Sequence, residues 1–359
     1  MKIGIVGAGK VGATIATLLE SCKFCKSVAL ADSRANIDLG GLKKSRLVPV
    51  DATDKAALAA FVADVDAIVS AGPYFLNKTI AAACAKARVS YFDLTEDVGT
   101  THYVRKLAKK SKATFMPQCG LAPGAINIVG GSLAATLEHV RQCEMRVGAL
   151  PLNASNQMKY YLSWSTVGLI NEYCQLGEAL HAGKRIATLP LDGVDRITID
   201  GVEYEAFNTS GGVATMCETF VGKIQELNYK TLRYPGHRDL MKFLLQDLNL
   251  STRQELVTQI FDHEVPLTES DVVVFYVSVI GNEKSGGLKQ RSFIKKLHGG
   301  VIEGRKLNAI QLTTAAGIVG VLELFAAGKL PKGFVKQESV PLTDFLATQW
   351  GGRVYGEGA

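Results

Sequence analysis

Short apolar runs alternate with longer amphipathic segments over the first third of the chain, and this alternation predicts a repeated β-α unit. Apolar runs at residues 2–6, 27–30, 47–50, 67–70, 89–92 and 113–116 predict six strands. The stretches between them predict helices at residues 13–20, 55–62, 77–86 and 103–110. Because right-handed helical crossovers join such strands in parallel, we expect an α/β fold with a Rossmann-type doubly wound parallel sheet.

The pattern changes after residue 116. Residues 117–124 form a Pro/Gly-rich turn, beyond which strands at 143–149, 196–199 and 272–280 mix with helices at 168–181, 235–247 and 252–261. This mixture predicts a second, α+β domain for substrate binding and dimerisation. An apolar helix at 307–327 returns the chain to the first domain. The predicted division is residues 1–122 plus about 305–359, and residues 123–304.

A G-x-G-x-x-G motif follows the first predicted strand and opens the first predicted helix. Gly7 allows the tight turn, Gly9 lets the backbone approach a pyrophosphate, and Gly12 lets the helix pack on the strand. The helix N-terminus, with Lys10 and Val11, offers free N–H groups to the phosphates. Strand, turn and helix in this order predict a dinucleotide site; a turn without a ligand is the alternative.

Asp32 lies twenty residues after Gly12, where a carboxylate can bind the adenosine ribose 2′-hydroxyl. It favours NAD, since a carboxylate repels the 2′-phosphate of NADP. Arg34 keeps NADP open as an alternative, because an arginine there can bind that phosphate. Further cofactor contacts are expected where strands end: Ser33, Asp51, Ala71, Gly72, Pro73, Tyr74, Asp93, Thr95, Gly120 and Pro123. For Asp51, helix capping with Thr53 and Asp54 is an equal alternative.

The composition is typical of a globular enzyme. The 359 residues are 47% hydrophobic and 21% charged, and the net charge of +6 is dispersed without the aromatic-basic interleaving expected of a nucleic-acid partner. We expect no membrane span, because no apolar run approaches about 18 residues. Seven cysteines without a secretory signal indicate a cytoplasmic protein, and the C-x-x-C at Cys22 and Cys25 is interpreted as two ordinary cysteines rather than a metal site.

Three further segments, together with the glycine motif, carry a resemblance over nearly the whole chain. They are residues 119–128 (CGLAPGAINI), 205–212 (EAFNTSGG) and 229–237 (YKTLRYPGH). The chain resembles the saccharopine dehydrogenase-like family, and within it most closely the lysine 6-dehydrogenases. The resemblance implies NAD-dependent oxidative deamination of the ε-amino group of L-lysine to 2-aminoadipate semialdehyde.

Two positions differ from the lysine-deaminating members. Asn208 stands where these carry histidine, and Trp164 lies in an S-W-S pattern similar to the saccharopine and carboxynorspermidine dehydrogenases. An opine-type or imine-type reductase therefore stays open, as does a non-catalytic nucleotide-binding protein. A reductase that binds two amino-acid moieties needs a second cationic site, for which Arg146, Arg185 and Arg196 are candidates.

The chemistry of amino-acid oxidation nominates residues of the second domain. Arg233 is expected to bind the substrate carboxylate through its planar guanidinium, with an ion pair that fixes the next helix as the alternative. His237 and Lys230 are candidates for proton transfer, and His237 is equally suited to the start of a helix. Substrate contacts are also expected from Asn208, from Trp164 as an apolar wall and from Glu205 as an ammonium ligand. The alternatives are a core tryptophan for Trp164 and a solvated strand residue for Glu205. A dimer is expected from pairing of the second domain's sheet.

Overall fold

The computed structural model describes residues 1–357. Its strands are β1 (Lys2–Val6), β2 (Ser27–Asp32), β3 (Ser45–Pro49), β4 (Ala67–Ser70), β5 (Ser90–Asp93), β6 (Thr114–Met116), β7 (His139–Pro151), β8 (Gly177–His181), β9 (Lys184–Thr188), β10 (Asp195–Ile199), β11 (Val202–Asn208), β12 (Ile224–Arg233), β13 (Asp271–Asn282), β14 (Leu288–His298), β15 (Gly300–Ile302), β16 (Arg305–Leu307) and β17 (Gly333–Phe334).

The α-helices are α1 (Lys10–Glu20), α2 (Lys55–Ala63), α3 (Asn77–Ala87), α4 (Val98–Ala108), α5 (Ala125–Ala134), α6 (Thr166–Cys174), α7 (Met216–Phe220), α8 (His237–Lys242), α9 (Gln254–Glu264), α10 (Ala309–Ala326), α11 (Leu342–Leu346) and α12 (Gln349–Tyr355). Short 3₁₀ turns occur at Tyr74–Leu76, Leu250–Arg253 and Gln337–Ser339, and one π-helical turn at Phe243–Asp247 extends α8.

The chain divides into two compact units. Unit 1 comprises Met1–Ile128, Val301–Arg305 and Gln311–Ala359, and unit 2 comprises Val129–Gly300 and Lys306–Ile310. The predicted bounds, residues 1–122 plus about 305–359 and residues 123–304, differ from these by a few residues at each crossing. The four crossings fall inside α5, β15, β16 and α10, where no loop composition marks a boundary.

Unit 1 contains a seven-stranded sheet in the order β17-β6-β5-β4-β1-β2-β3, with all neighbours parallel. The predicted doubly wound sheet is confirmed. Its four central strands are almost entirely buried, as expected of strands covered on both faces. The seventh strand, β17, was not predicted, because two residues carry no periodic signal.

Unit 2 contains an eight-stranded mixed sheet. Strands β10-β11-β12-β7-β13-β14 follow in this order, β7 and β12 pair in parallel, and β8 and β9 form a hairpin on β12. The predicted helix at 168–181 is wrong beyond Cys174, because Gly177–His181 is a strand. The hairpin turns at Ala182 and Gly183, both with positive φ, which is the geometry of a tight two-residue turn.

The helix α10 meets the length and hydropathy of a membrane span, so the expectation that no apolar run approaches about 18 residues was wrong. It has 18 residues with mean hydropathy 1.6, and 67% of that window is buried inside the protein. Asp271 caps its start by accepting hydrogen bonds from the Ala309 and Ile310 amides. Core helices of globular proteins pass the same test, so this helix is weak evidence for a membrane segment.

Candidate cofactor and substrate sites

The glycine turn lies between β1 and α1. Gly7 has φ +102°, and a Cβ there would lie 2.6 Å from the Gly72 nitrogen. A Cβ on Gly12 would lie 1.9 Å from the Gly7 carbonyl oxygen. Gly9 differs, since apart from its own chain neighbours no protein atom lies within 4 Å of where its Cβ would stand. Glycine is therefore required at positions 7 and 12 by the protein's own packing, whereas the surface at Gly9 is open to a ligand.

The start of α1 faces the same turn. Gly9 is its N-cap in an extended conformation, and its carbonyl accepts from the Ala13 amide at 2.9 Å. The amides of Lys10, Val11 and Gly12 precede the first intrahelical hydrogen bond, so they are donors for an anion. The Lys10 side chain is exposed beside them. This arrangement fits the pyrophosphate of a dinucleotide.

Asp32 ends β2 and holds the glycine turn. One carboxylate oxygen accepts from the Ala8 amide at 2.9 Å, and both oxygens accept from the Arg34 guanidinium at 2.8 and 3.0 Å. Arg34, with the Ala8 amide, holds the pKa of Asp32 well below its usual range. Ser33 is exposed between the two. The carboxylate is thus charged at the strand end and paired with Arg34, and the contacts of both residues with a cofactor stay a prediction.

Asp51 makes local contacts only. Its carboxylate accepts from the Thr53 amide at 2.8 Å and from the Thr53 hydroxyl at 2.7 Å, while Asp54 caps α2 through the Ala56 and Ala57 amides. These contacts support the capping alternative over adenine binding. The adenine role of Asp51 stays a prediction.

The segment after β4 lies against the glycine turn. The Ala71 amide donates to the Val6 carbonyl at 2.8 Å, and Gly72 packs on Gly7. Pro73 then caps the 3₁₀ turn that begins at Tyr74, whose ring is 52% exposed. Ala71 and Gly72 are therefore adjacent to the glycine turn, and the cofactor contacts of all four residues stay a prediction.

Asp93, at the end of β5, is fully buried and organises the neighbouring loops. Its carboxylate accepts from the Tyr91 hydroxyl at 2.8 Å and from the Thr95 and Gln118 amides at 2.9 Å each. Burial raises the pKa of Asp93 to about 6. Thr95 is buried as well, and its hydroxyl accepts from the Asp97 amide. Both residues support the loops at the sheet edge, and their contact with a cofactor stays a prediction.

The loop after β6 is closely packed. A Cβ on Gly124 would lie 2.0 Å from the Gly120 carbonyl oxygen, and one on Gly317 of α10 would lie 2.4 Å from the same atom. Asn127 accepts from the Gly124 amide at 2.8 Å, and the peptide bond before Pro123 is cis. Gly120 and Pro123 therefore serve the packing of this loop, at the carboxyl-terminal edge of the parallel sheet.

In unit 2, Arg233 lies at the end of β12 and is 2% exposed. Its guanidinium donates to Glu172 at 3.1 Å, to the Tyr173 hydroxyl at 2.9 Å and to its neighbouring Leu232 carbonyl at 2.9 Å. The rings of Tyr160 and Tyr173 also contact it, with centroids 5.1 and 5.8 Å from its central carbon. These contacts support the alternative, an ion pair that stabilises unit 2, and the carboxylate role stays a prediction.

His237 begins α8 and is fully buried. Its Nδ1 lies 3.0 Å from the Met158 carbonyl oxygen and must donate to it, so Nε2 is the acceptor of the Tyr173 hydroxyl proton at 3.0 Å. Burial, with the charge of Arg233, lowers the pKa of His237 to about 3. The imidazole is thus neutral with both nitrogens bonded, which supports a structural role over proton transfer.

The remaining predicted substrate residues separate into different surroundings. Glu205 accepts from the Gly236 and Arg238 amides at 3.0 and 2.6 Å, so it caps α8. The indole of Trp164 covers Gly168 and donates to the Tyr160 hydroxyl at 3.1 Å. Trp164 therefore lies near Arg233 and His237, through their shared neighbour Tyr160.

Lys230 on β12 lies directly opposite Asn208 on β11, and both side chains lie on the face of the sheet opposite that of Arg233. Lys230 forms an ion pair with Asp195, which also contacts the buried Arg146 at 3.4 Å. The predicted catalytic pair of Lys230 and His237 is therefore not brought together by the sheet.

The sequence did not reveal Glu172, Tyr173 and Tyr160. These three side chains form the buried polar cluster around Arg233 and His237, and they come from elements that are distant along the chain. The one available signal was an acidic residue inside an otherwise apolar helical face at 169–173. Residues 1–357 contain no group of three or more His, Cys, Asp and Glu side chains suited to a metal ion.

Two family models match almost all of the chain. Residues 3–116 match the saccharopine dehydrogenase NADP binding domain, and residues 120–351 match the saccharopine dehydrogenase C-terminal domain. The mitochondrial alpha-aminoadipic semialdehyde synthase of Bos taurus is 23% identical over 96% of this chain, which spans only 39% of that protein's length. The saccharopine dehydrogenase (NADP(+), L-glutamate-forming) of Schizosaccharomyces pombe is 22% identical over 78% of this chain and 64% of its own length.

Two solved structures share the fold. The apo saccharopine dehydrogenase (L-Glu forming) of Saccharomyces cerevisiae has a TM-score of 0.76 at 14% identity and covers 94% of both chains. The homospermidine synthase of Legionella pneumophila, solved with NAD, has a TM-score of 0.71 at 14% identity and covers 99% of this chain and 90% of its own. At these identities the likeness shows the fold alone. The two family models, which cover both units, establish that the chain belongs to the saccharopine dehydrogenase family.

Proposed function

We propose that this protein is an oxidoreductase that uses a nicotinamide dinucleotide to oxidise a C–NH₂ or C–NH group of an amino-acid substrate. The observation that carries the proposal is the glycine turn. At Gly7 and Gly12 the protein's own backbone occupies the space that a side chain would need, whereas the surface at Gly9 is open beside the first amides of α1. The match of residues 3–116 to a nucleotide-binding domain supports the same conclusion.

NAD is the proposed cofactor, with NADP as the alternative. Asp32 is charged and fixed by the Ala8 amide, which suits a ribose 2′-hydroxyl. The matched family model is named for NADP, and Arg34 is the residue that would bind its phosphate after leaving Asp32. When bound, the cofactor accepts a hydride from the substrate.

The proposed substrate is L-lysine, oxidised at its ε-carbon. The ε-ammonium first loses a proton to solvent. The neutral ε-amine then gives up a hydride from the carbon that bears it and becomes an iminium. Water adds to the iminium carbon, and ammonia and a proton leave to give 2-aminoadipate semialdehyde. The basis of this proposal is the resemblance of residues 119–128, 205–212 and 229–237 to lysine 6-dehydrogenases.

An imine-type reductase of the saccharopine class is the second candidate. The similar proteins favour it, since two of them are saccharopine dehydrogenases. The cationic residues weigh against it. Arg146, Arg185 and Arg196 are already paired with Asp195, Glu178 and Glu203, so none of these three arginines is left to bind an additional substrate carboxylate.

The assembly and location are also proposals. A homodimer is proposed because the broad mixed sheet of unit 2 can pair across a two-fold axis. A cytoplasmic location is proposed because the seven cysteines are all free thiols, as reducing compartments favour.

The test mixes the protein with NAD or NADP and, in separate reactions, L-lysine, L-ornithine, saccharopine and homospermidine, and follows the absorbance of reduced nicotinamide. Reduction with L-lysine together with release of ammonia is the expected result. Reduction with saccharopine alone would favour the second candidate. A protein that binds dinucleotide but oxidises none of these compounds would contradict the proposal. Gly9→Val serves as the control that folds without binding cofactor.

A further inference from the structure

Gln337 lies at the carboxyl-terminal edge of the parallel sheet of unit 1. Strand β17 runs parallel to β6, so the 3₁₀ turn that starts at Gln337 follows β17 at the same edge at which the loop 117–124 leaves β6. The Gln337 amide nitrogen donates to the Pro117 carbonyl at 2.9 Å and contacts the Cys119 sulfur at 3.1 Å. Ligands of doubly wound sheets bind beyond this edge.

The hydrogen bonds of Gln337 determine which way its amide points. Both N–H groups of the Gln337 amide donate. One donates to the Pro117 carbonyl oxygen, which can only accept, and the other donates to the Cys119 sulfur. The S–H of Cys119 in turn donates to the Met116 carbonyl at 3.0 Å. A flipped amide would place the Gln337 oxygen against the Pro117 oxygen. The free end of the side chain is therefore an acceptor.

That acceptor is unsatisfied. Gln337 is 2% exposed, and its Oε1 has no hydrogen-bond partner among residues 1–357. Buried polar groups without a partner are rare, because they lose their hydrogen bonds to water and gain none in return. An unpaired acceptor at the ligand-binding edge of the sheet points to a donor that arrives with a ligand.

The sheet order indicates which part of a dinucleotide brings that donor. Asp32 ends β2, on one side of β1, where the adenosine ribose is expected. Strands β4, β5, β6 and β17 lie on the other side of β1, which leaves this half of the edge to the nicotinamide. The polar neighbours of the Gln337 amide nitrogen are a backbone carbonyl and a thiol, so the side chain lies in uncharged surroundings that suit an uncharged N–H donor better than an ammonium.

We propose that the Gln337 side-chain oxygen accepts a hydrogen bond from the carboxamide N–H of bound nicotinamide and so fixes the rotation of the ring. The inference rests on the proposed use of a nicotinamide cofactor. Because Gln337 is 2% exposed, the proposal requires that the residues covering its oxygen make room for the cofactor. Gln337 is then a cofactor-positioning residue that no sequence motif marks.

The experiment compares three ligands by calorimetry: NAD, its acetylpyridine analogue, in which a methyl group replaces the carboxamide NH₂, and ADP-ribose, which lacks the nicotinamide. The wild-type protein is expected to bind NAD about five- to tenfold more tightly than the analogue, as the loss of one buried hydrogen bond predicts. Gln337→Met should lose this preference and keep its affinity for ADP-ribose within about twofold. Gln349→Met, at an exposed glutamine that donates to Ser21, is the matched control and should behave as wild type.

Each other outcome overturns the inference. A wild-type protein that binds NAD and the analogue equally well contradicts it without any variant, so a poorly folding Gln337→Met leaves it testable. A variant that retains the preference also contradicts it. Loss of ADP-ribose binding in the variant would mean that Gln337 supports the loop and not the nicotinamide. A wild-type protein that binds neither NAD nor ADP-ribose would refute the proposed function itself.

Discussion

Removing the Arg233 guanidinium tests whether this residue stabilises unit 2 or binds substrate. Arg233→Met deletes three hydrogen bonds of 2.9–3.1 Å and leaves the buried Glu172 without its cation. Breaking a buried ion pair from one side costs about 3–5 kcal/mol. At pH 7 we expect a cost at the lower end of this range. Burial raises the pKa of Glu172 to about 7 against the opposing charge of Arg233, so the carboxyl can take up a proton once Arg233 is gone.

The pH dependence gives this prediction a second measurement. In the variant, the folded state holds the Glu172 proton more tightly than the unfolded state does. Stability is therefore recovered as the pH falls through the folded pKa. The double variant Arg233→Met with Glu172→Leu should recover more than half of the loss, because no buried charge remains.

The assay is urea unfolding followed by tryptophan fluorescence, with Trp164 as the reporter in unit 2. Arg196→Met is the matched control, because its ion pair with Glu203 is exposed and should contribute less than about 1 kcal/mol. NAD affinity should be unchanged in both variants, since the glycine turn belongs to unit 1. A stable Arg233→Met protein with a tenfold or greater increase in KM for lysine, equivalent to about 1.4 kcal/mol, would refute this reasoning and assign Arg233 to the substrate carboxylate.

Three further predictions concern the cofactor and pH. Gly9→Val should fold, because its backbone is extended and its Cβ position is open, yet lose at least about tenfold in NAD affinity by calorimetry; unchanged affinity would contradict it. Asp32→Ala should weaken NAD binding and free Arg34 for a 2′-phosphate, shifting the NADP-to-NAD affinity ratio by about tenfold, and an unshifted ratio would count against this role. His237 has a folded pKa of about 3 against about 6.5 when unfolded, so the unfolded state binds more protons between these values and stability falls as the pH decreases through them. Between pH 6.5 and 5 the loss in the free energy of unfolding is about 2 kcal/mol. In urea titrations His237→Gln should abolish this loss, whereas the control His263→Gln, at an exposed histidine, should retain it. Equal pH dependence of stability in the two variants would refute the prediction.

The cofactor half of the protein was largely predictable from sequence because its signals are local. A buried parallel strand needs an uninterrupted apolar run, and a phosphate-binding turn needs glycines at fixed spacing, so both can be recognised within a dozen residues. The predicted strands and the positions of Gly7, Gly9 and Gly12 agree with the sheet for that reason. Strand β17 was missed because its pairing with β6 depends on residues more than two hundred positions away.

The second half was less predictable because its interactions are long-range. Strands β11, β12 and β14 were missed, since each obtains its stability from neighbours rather than from its own pattern. Arg233 and His237 were recognised as unusual, but the sequence could not show that Glu172 and Tyr173 meet them across about sixty residues of chain. Burial decides whether an arginine or histidine is paired within the protein or offered to a ligand, and burial is a property of the tertiary structure.

The sequence by itself thus determined the nucleotide-binding unit, its glycine turn, the acidic residue at the end of β2 and the family. The tertiary structure alone decided that Gly9 is the open glycine, that Asp51 and Glu205 cap helices, and that the Gln337 oxygen is left unpaired at the sheet edge. The physical reason is the range of the interactions. Backbone turns and apolar strands depend on neighbours in the chain, whereas hydrogen-bond satisfaction depends on groups that only folding brings together.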